Sequence, residues 1–78
     1  MLSSVTSVAP QGDYLLELQL ANGSSMRVNL GRKILTARFA VLKDPEVWSS
    51  AVTDGHSIHW QDLLSITLTE VLEILGNN

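Results

Sequence analysis

The chain has 78 residues, a mass of 8.5 kDa and no cysteine. That length fits one domain, residues 1–78, and the lack of cysteine excludes a disulfide framework, a zinc ribbon and a thiol nucleophile. A net charge of −3 argues against a nucleic-acid binder that works by bulk electrostatics, and no run of the sequence has the ~20 apolar residues of a membrane span. The first ten residues show no signal-peptide pattern, so we expect a cytoplasmic protein.

The first part of the chain predicts strands at residues 5–10, 14–21 and 25–30. The second and third of these alternate apolar and polar side chains, which is typical of half-buried strands. Asn22-Gly23 between them is a hairpin signal. Matching apolar faces favours a three- or five-residue loop that pairs Leu18 with Val28 and gives Gly23 a positive φ.

The hydrophobic period changes in the middle of the chain. Residues 32–43 place Leu35, Phe39 and Leu42 at helical spacing, which predicts a helix of about three turns. Asp44-Pro45 ends that helix, because the residue before proline disfavours the α conformation. Asp44 then caps a short second turn that carries Trp48.

The last part predicts another hairpin and a helix. Residues 50–53 and 57–60 are the expected strands, with Val52 opposite Ile58 and with Trp60 on the apolar face. The closing helix starts at the capping box Thr67-x-x-Glu70 and carries an apolar stripe. That stripe comprises Leu68, Val71, Leu72 and Leu75. The expected fold is α+β, a small antiparallel sheet of two hairpins in ββαββα order with short helices on one face.

The candidate chemistry in the sequence is sparse. His56 and His59 are the only histidines, and their spacing in an extended segment projects them to opposite faces, so we expect no metal site. No nucleophile elbow or glycine-rich phosphate loop is present, and so small a chain has little volume to line a pocket. We therefore expect no enzyme activity and no cofactor. An approach of Asp62 to His59 in a concave site would instead favour an enzyme.

The charges are strongly segregated along the chain. Residues 27–43 carry all five cations, whereas residues 44–78 carry six acids and no cation. These segments could pair within the fold or between subunits, or the basic stretch could meet an acidic partner. A solvated helix face is the simplest alternative.

The layout resembles a family of short bacterial proteins known as domain of unknown function 2442. The similar positions are Val8-x-Pro10, Asp13-Tyr14-x-Leu16-x-Leu18, Asn22-Gly23, Asn29-Leu30, Phe39-x-x-Leu42-Lys43-Asp44-Pro45, Trp48, Ile58-x-Trp60 and Leu72. The chain departs from the family pattern after Trp60, where it has no glycine and has Ser65 in place of an aspartate. The resemblance implies an α+β module without catalytic residues. Some members of the family are fused to helix-turn-helix domains or encoded beside suspected toxin partners.

These observations together predict a non-enzymatic protein-interaction module. A core this small leaves little net stability, so we expect self-association into a homo-oligomer, with an antitoxin-like or regulatory role toward a small partner protein as a further expectation. The expected contact residues are the apolar anchors Trp48, Trp60 and Phe39 and the orienting cations Arg32, Lys33 and Arg38. The alternative is a small-molecule binder with its pocket at a subunit interface. We expect neither a membrane nor a nucleic-acid partner.

Overall fold

A computed structural model describes residues 4–76 and gives an α+β fold with two three-stranded antiparallel sheets. The first sheet has the order β1-β2-β3, from strands Val5–Gln11, Leu15–Leu20 and Ser25–Asn29. The second has the order β4-β5-β6, from strands Ala51–Thr53, Ser57–Trp60 and Leu64–Thr67. Helix α1 spans Pro45–Ser49 between the sheets, and helix α2 spans Leu68–Gly76 after β6. The expected single sheet and ββαββα order are therefore corrected to two sheets in βββαβββα order.

The two sheets meet at β1 and β4. The Val5 backbone N–H donates to the Gly55 carbonyl at 2.9 Å, and strands β1 and β4 are in contact. Strands β3 and β6 are thereby left at the outer edges of the two sheets. None of the helices within residues 4–76 is long and apolar enough to cross a membrane.

The first hairpin confirms the predicted faces and loop parity. Leu20 N–H donates to Ser24 O at 2.8 Å around a three-residue loop, and Gly23 has φ +88°. The register is two residues away from the expected one, because Leu18 pairs with Met26 and not with Val28. A shift by an even number keeps every side chain on its predicted face.

The second hairpin differs in parity from the prediction. Val52 pairs with His59, and Ala51 lies opposite Trp60. The Asp54 carboxylate accepts from the backbone N–H groups of His56 and Ser57, at 2.9 and 3.0 Å. This side-chain turn stabilises an even-length loop, so Val52 points outward and is 57% exposed. The small Ala51 side chain leaves room for the indole of Trp60 opposite it.

The predicted helix over residues 32–43 is wrong. The segment forms two short 3₁₀ turns, Lys33–Leu35 and Ala40–Lys43. The Thr36 hydroxyl donates to the Lys33 carbonyl at 2.6 Å, and the Thr36 backbone is extended. A β-branched residue that bonds back to its own turn competes with the helix, and this one ends it. Leu35 is 77% exposed as a result, whereas Phe39 and Leu42 are buried.

Both predicted helix caps, at Asp44 and at Thr67, are confirmed. Asp44 Oδ1 accepts from Glu46 N–H at 3.0 Å at the start of α1. Thr67 Oγ1 accepts from Glu70 N–H at 3.2 Å at the start of α2. The buried face of α2 consists of Leu68, Val71 and Ile74, so the expected placement of Leu72 and Leu75 in the stripe is corrected.

The core lies between the sheets and α2, and no polar or charged residue is buried in it among the described residues. Within that part of the chain, the Trp60 indole N–H is the one buried side-chain donor without a hydrogen-bond partner. The total exposed surface is 4708 Å². A compact monomer of this mass is expected to expose about 4,700 Å². The isolated chain therefore buries as much surface as a free-standing domain of its size.

Candidate functional site

The main candidate site is an open groove beside Trp48, which we call the Trp48 groove. It has a volume of about 240 Å³. Its walls are the turn at Gly12–Tyr14 with the preceding Gln11, the stretch Leu42, Lys43 and Pro45, and the Trp48 indole. The groove thus lies where the β1–β2 turn meets α1.

Trp48 is fixed in the groove by the local start of α1. The Asp44 cap and Pro45 at the first helical position begin a helix of five residues that carries Trp48. Its Nε1 donates to the Gln11 carbonyl at 3.0 Å. The indole is half-buried, so one part packs against the protein and another faces the groove.

Aromatic packing continues from the groove into the core. The Tyr14 ring meets Trp48 edge-on with centroids 5.2 Å apart. Trp48 in turn stacks on Trp60 at 6.2 Å with an interplanar angle of 18°. These contacts favour the observed position of the Trp48 ring, because edge-to-face and stacked arrangements are the favoured aromatic geometries.

The opposite wall of the groove has an unfavourable backbone. Asp13 and Tyr14 have φ values of 61° and 59°, in the left-handed region. This region costs a residue with a side chain about 1–2 kcal/mol. The Tyr14 carbonyl accepts from Leu30 N–H at 2.8 Å, which with the Trp48 contact holds the turn in place. Backbone strain of this kind concentrates at binding sites.

The groove carries one charge of each sign. Asp13 and Lys43 both line it, and no ion pair joins them among the described residues. An aromatic floor with an acid and a base beside it suits contact with a protein chain, which offers apolar and charged groups together. No group of three metal-ligating side chains lies together within residues 4–76.

The structure separates the predicted apolar anchors. Trp48 lies in the groove. Trp60 is 0% exposed and Phe39 is 5% exposed, so both are core residues, and their prediction as surface anchors is corrected. The sequence places Trp60 and Phe39 on apolar faces, but an apolar face in the sequence does not distinguish the core from a contact surface.

The predicted orienting cations also differ in their surroundings. Arg38 donates to both carboxylate oxygens of Glu70, at 2.6 and 3.2 Å, and to the Ser65 carbonyl at 2.9 Å. The hydrogen bond from Arg38 lowers the pKa of Glu70, and the same bond raises the pKa of Arg38. Arg38 therefore supports the alternative in which basic and acidic segments pair within the fold. Arg32 is exposed, and Lys33 lines a shallow cleft beside Glu70 and Glu73.

A Ser-His-Asp cluster on the second sheet does not have the geometry of a catalytic relay. His59 Nε2 lies 3.0 Å from Asp54 Oδ2 and 3.1 Å from Ser57 Oγ. A hydrolase triad uses one imidazole nitrogen for the serine and the other for the aspartate, whereas here one atom meets both. His59 and Asp62 line a common surface groove of about 310 Å³, but no hydrogen bond between them occurs among the described residues.

The Asp54 carboxylate in that cluster has a structural role. Its pKa is well below the usual range because it accepts from the backbone N–H of His56, from the His59 ring and from the backbone N–H of Ser57. These bonds close the β4–β5 loop. The cluster thus explains the parity of the second hairpin.

Sequence reasoning misses the partners of Trp48 in the groove. The sequence predicts Tyr14 as the first residue of a strand and Lys43 as the last residue of a helix. The contact between Tyr14 and Trp48 joins residues far apart in the chain, and no local pattern encodes it. The sequence signal present is Gly12-Asp13, a pair that favours a turn with left-handed backbone.

Comparisons with protein-family models, with curated proteins and with solved structures found no match to this chain. The resemblance to domain of unknown function 2442 therefore stays a prediction.

Proposed function

We propose that the protein is a non-enzymatic, cytoplasmic protein-interaction module, and that it binds a second protein chain at the Trp48 groove. The second chain in this proposal is another copy of the protein, so that the protein self-associates at the groove. A narrower form of the proposal is an antitoxin-like or regulatory role toward a small partner protein. The observation that carries the proposal is the half-buried Trp48 indole at the floor of an open groove. Tryptophan and tyrosine dominate the binding energy of protein interfaces.

The rigidity of the groove favours this interpretation. Trp48 is held by a hydrogen bond to Gln11 and by packing on Tyr14 and Trp60. A side chain that is already ordered loses little conformational entropy on binding. Lys43 and Asp13 beside it would orient a partner chain of complementary charge.

The exposed surface area of the single chain indicates what kind of contact a second chain makes. Because the chain exposes 4708 Å², about that of a compact monomer of its mass, the single chain already covers its own core. The proposed contact is therefore a local patch of the surface. It is not a shared core of the kind seen in obligate dimers.

Native mass spectrometry of the full chain tests the proposal. We expect a multiple of 8.5 kDa for the natural chain and a shift toward monomer for Trp48→Ala. Lys43→Glu is a second variant, which changes the exposed rim without touching the core. Leu35→Ala is the matched control, because Leu35 is an apolar residue that is 77% exposed and lies outside the groove.

Three outcomes would count against the proposal. A natural chain that stays monomeric up to millimolar concentration would refute self-association. An oligomer whose stoichiometry ignores both Trp48→Ala and Lys43→Glu would place the contact elsewhere. An equal effect of Leu35→Ala would show that association is not specific to the groove.

The second candidate function is a small-molecule binder whose pocket forms at a subunit interface. The groove favours it in one respect, since its volume of about 240 Å³ is near the ~300 Å³ lower end of ligand pockets. The groove is open on one side, and a second chain across it would enclose a ligand against Trp48. A retained extra mass in the same spectrum would support this function over the first.

A further inference from the structure

The outer edges of the two sheets are not alike. Strand β6 ends the second sheet, and strand β3 ends the first. An edge strand presents backbone N–H and C=O groups that no neighbouring strand uses, and such groups are a template for a further strand. An edge is closed when these backbone groups have hydrogen-bond partners within the fold, and it is open to another chain when they have none.

The β6 edge is closed by side chains from elsewhere in the fold. The Ser65 carbonyl accepts from Arg38 at 2.9 Å. The Thr67 N–H donates to Glu70 Oε1 at 3.5 Å. Arg38 and Glu70 are also paired with each other, so together they occupy the place where an added strand would lie.

The hydrogen-bond parity of the first sheet shows which backbone groups of β3 point away from β2. Leu20 N–H donates to Ser24 O, and Leu30 N–H donates to Tyr14 O, both at 2.8 Å. In an antiparallel ladder every second residue bonds to the neighbouring strand, and the residues between them face away. The inward residues are Ser24, Met26, Val28 and Leu30, and the outward ones are Ser25, Arg27 and Asn29. No hydrogen bond described within residues 4–76 uses the outward backbone groups of these three.

The side chain of Arg27 adds a charge preference to this edge. Its Nε donates to Glu17 Oε2 at 3.3 Å, and the side chain is 71% exposed. The two terminal nitrogens of the guanidinium have no partner among the described residues. A guanidinium with its fork free binds a carboxylate bidentately.

We propose that the β3 edge is a docking surface for an extended segment of another protein, which adds as a fourth strand of the first sheet and places an acidic side chain opposite Arg27. Backbone hydrogen bonds to Ser25, Arg27 and Asn29 supply the affinity. The pairing of a carboxylate with Arg27 makes the edge selective for segments that have an acidic side chain at that position. This surface is separate from the Trp48 groove, and the proposal does not rest on the function proposed for the groove.

A second copy of this chain is the poorer occupant of this edge. Antiparallel pairing of two β3 strands uses all the outward groups only when Arg27 lies opposite its own counterpart. Like charges directly opposite each other destabilise a sheet. Any other register leaves some of the outward groups unpaired.

The experiment titrates two blocked nine-residue peptides into the full ¹⁵N-labelled chain. Both peptides alternate threonine and valine and end in lysine, and they differ only in a central glutamate or a central lysine. We expect the glutamate peptide to shift the amide signals of Ser25, Arg27 and Asn29 and to slow their exchange with solvent. It should bind at least about fivefold more tightly than the lysine peptide, and added salt should reduce this ratio.

Two variants separate backbone pairing from charge. Arg27→Pro removes an N–H that the monomer does not use, and it should abolish binding of both peptides. Arg27→Ser keeps the N–H and should bind both peptides with equal affinity. If Arg27→Pro fails to fold, Arg27→Ser still tests the charge preference.

Several results would overturn the proposal. Protected amides at Arg27 in the free chain would show that the edge is already covered. Shifts confined to β6 or to the Trp48 groove, no binding at millimolar peptide, or equal affinity for both peptides in the natural chain would each refute it. A dimer that strengthens in Arg27→Ser would show that a second copy is the occupant. None of these results depends on the outcome for Trp48→Ala.

Discussion

Replacing Arg38 by methionine should loosen the segment between the two 3₁₀ turns from α2 and β6. The change removes two bonds to Glu70 and one to the Ser65 carbonyl. Methionine keeps an apolar stem beside Phe39, over whose ring the guanidinium lies at 5.2 Å. The loss in the free energy of unfolding therefore measures the polar contacts of Arg38 more than its packing.

The size of the expected destabilisation follows from how exposed the two paired side chains are. The Arg38 and Glu70 side chains are 51% and 32% exposed, so solvent screens the pair and it is worth about 0.5–1 kcal/mol. The bond to Ser65 adds about 0.5 kcal/mol at an exposed site. We expect Arg38→Met to cost about 1–1.5 kcal/mol, out of about 4–12 kcal/mol for a domain of this length.

The assay is urea unfolding of Arg38→Met, Glu70→Gln and the double variant at neutral pH. With a slope of about 1 kcal/mol/M for so small a domain, the midpoint of Arg38→Met should fall by about 1 M. In Glu70→Gln the amide oxygen could still accept from Thr67 N–H, so the capping box survives the second change. We expect a coupling energy of about 0.5–1 kcal/mol between the two positions.

The pair also predicts a pH dependence with a definite sign. The pKa of Glu70 is lowered in the folded chain, so its contribution is complete above the unfolded value of about 4.3 and is lost as pH falls through the folded value. The effect of Arg38→Met should therefore be smaller at pH 3 than at pH 7. A coupling energy near zero, or an effect that grows as the pH falls, would refute the internal pairing and return Arg38 to a partner-facing role.

Two further predictions concern the loops. Asp54→Asn should lower the urea midpoint at pH 6, and the difference from the natural chain should shrink below about pH 4, because the depressed pKa of Asp54 stabilises the fold only while the carboxylate is ionised; a difference independent of pH would contradict this. Asp13→Gly should raise the free energy of unfolding by about 0.5 kcal/mol, since glycine adopts the φ of 61° without strain. Gly23→Ala should lower the free energy of unfolding by about 1 kcal/mol, since alanine is strained at the φ of +88°. Changes of the same sign in these two variants would contradict the backbone argument.

The first sheet shows how far alternation in the sequence predicts structure. The faces of residues 14–30 follow from which side chains are apolar, and the structure confirms them. The exact register does not follow, because sliding by two residues keeps the same apolar match. The second hairpin is harder, since Asp54 stabilises an even loop that apolar matching disfavours.

The errors in the middle and at the end of the chain have different causes. The apolar residues of 32–43 do recur at helical spacing, but the Thr36 hydrogen bond ends the first turn. Arg38 then bonds to β6 and α2, so tertiary contacts replace the predicted helix. Strand β6 is absent from the sequence prediction, although Leu64 to Leu68 alternates buried and exposed side chains over five residues. The candidate site is predicted only at Trp48, because the other wall comes from the β1–β2 turn, distant in the chain.

The stacked indoles give this protein an optical signature of its own. Trp48 and Trp60 are the only tryptophans, and their rings lie 6.2 Å apart and 18° from parallel. Electronic transitions of two indoles at this separation are coupled, so the near-ultraviolet circular dichroism of the pair should change when either ring moves. One ring is sealed in the core and the other faces the groove, so quenching by a water-soluble quencher should reach only Trp48. Occupancy of the groove and integrity of the core could therefore be followed separately by light, without a label.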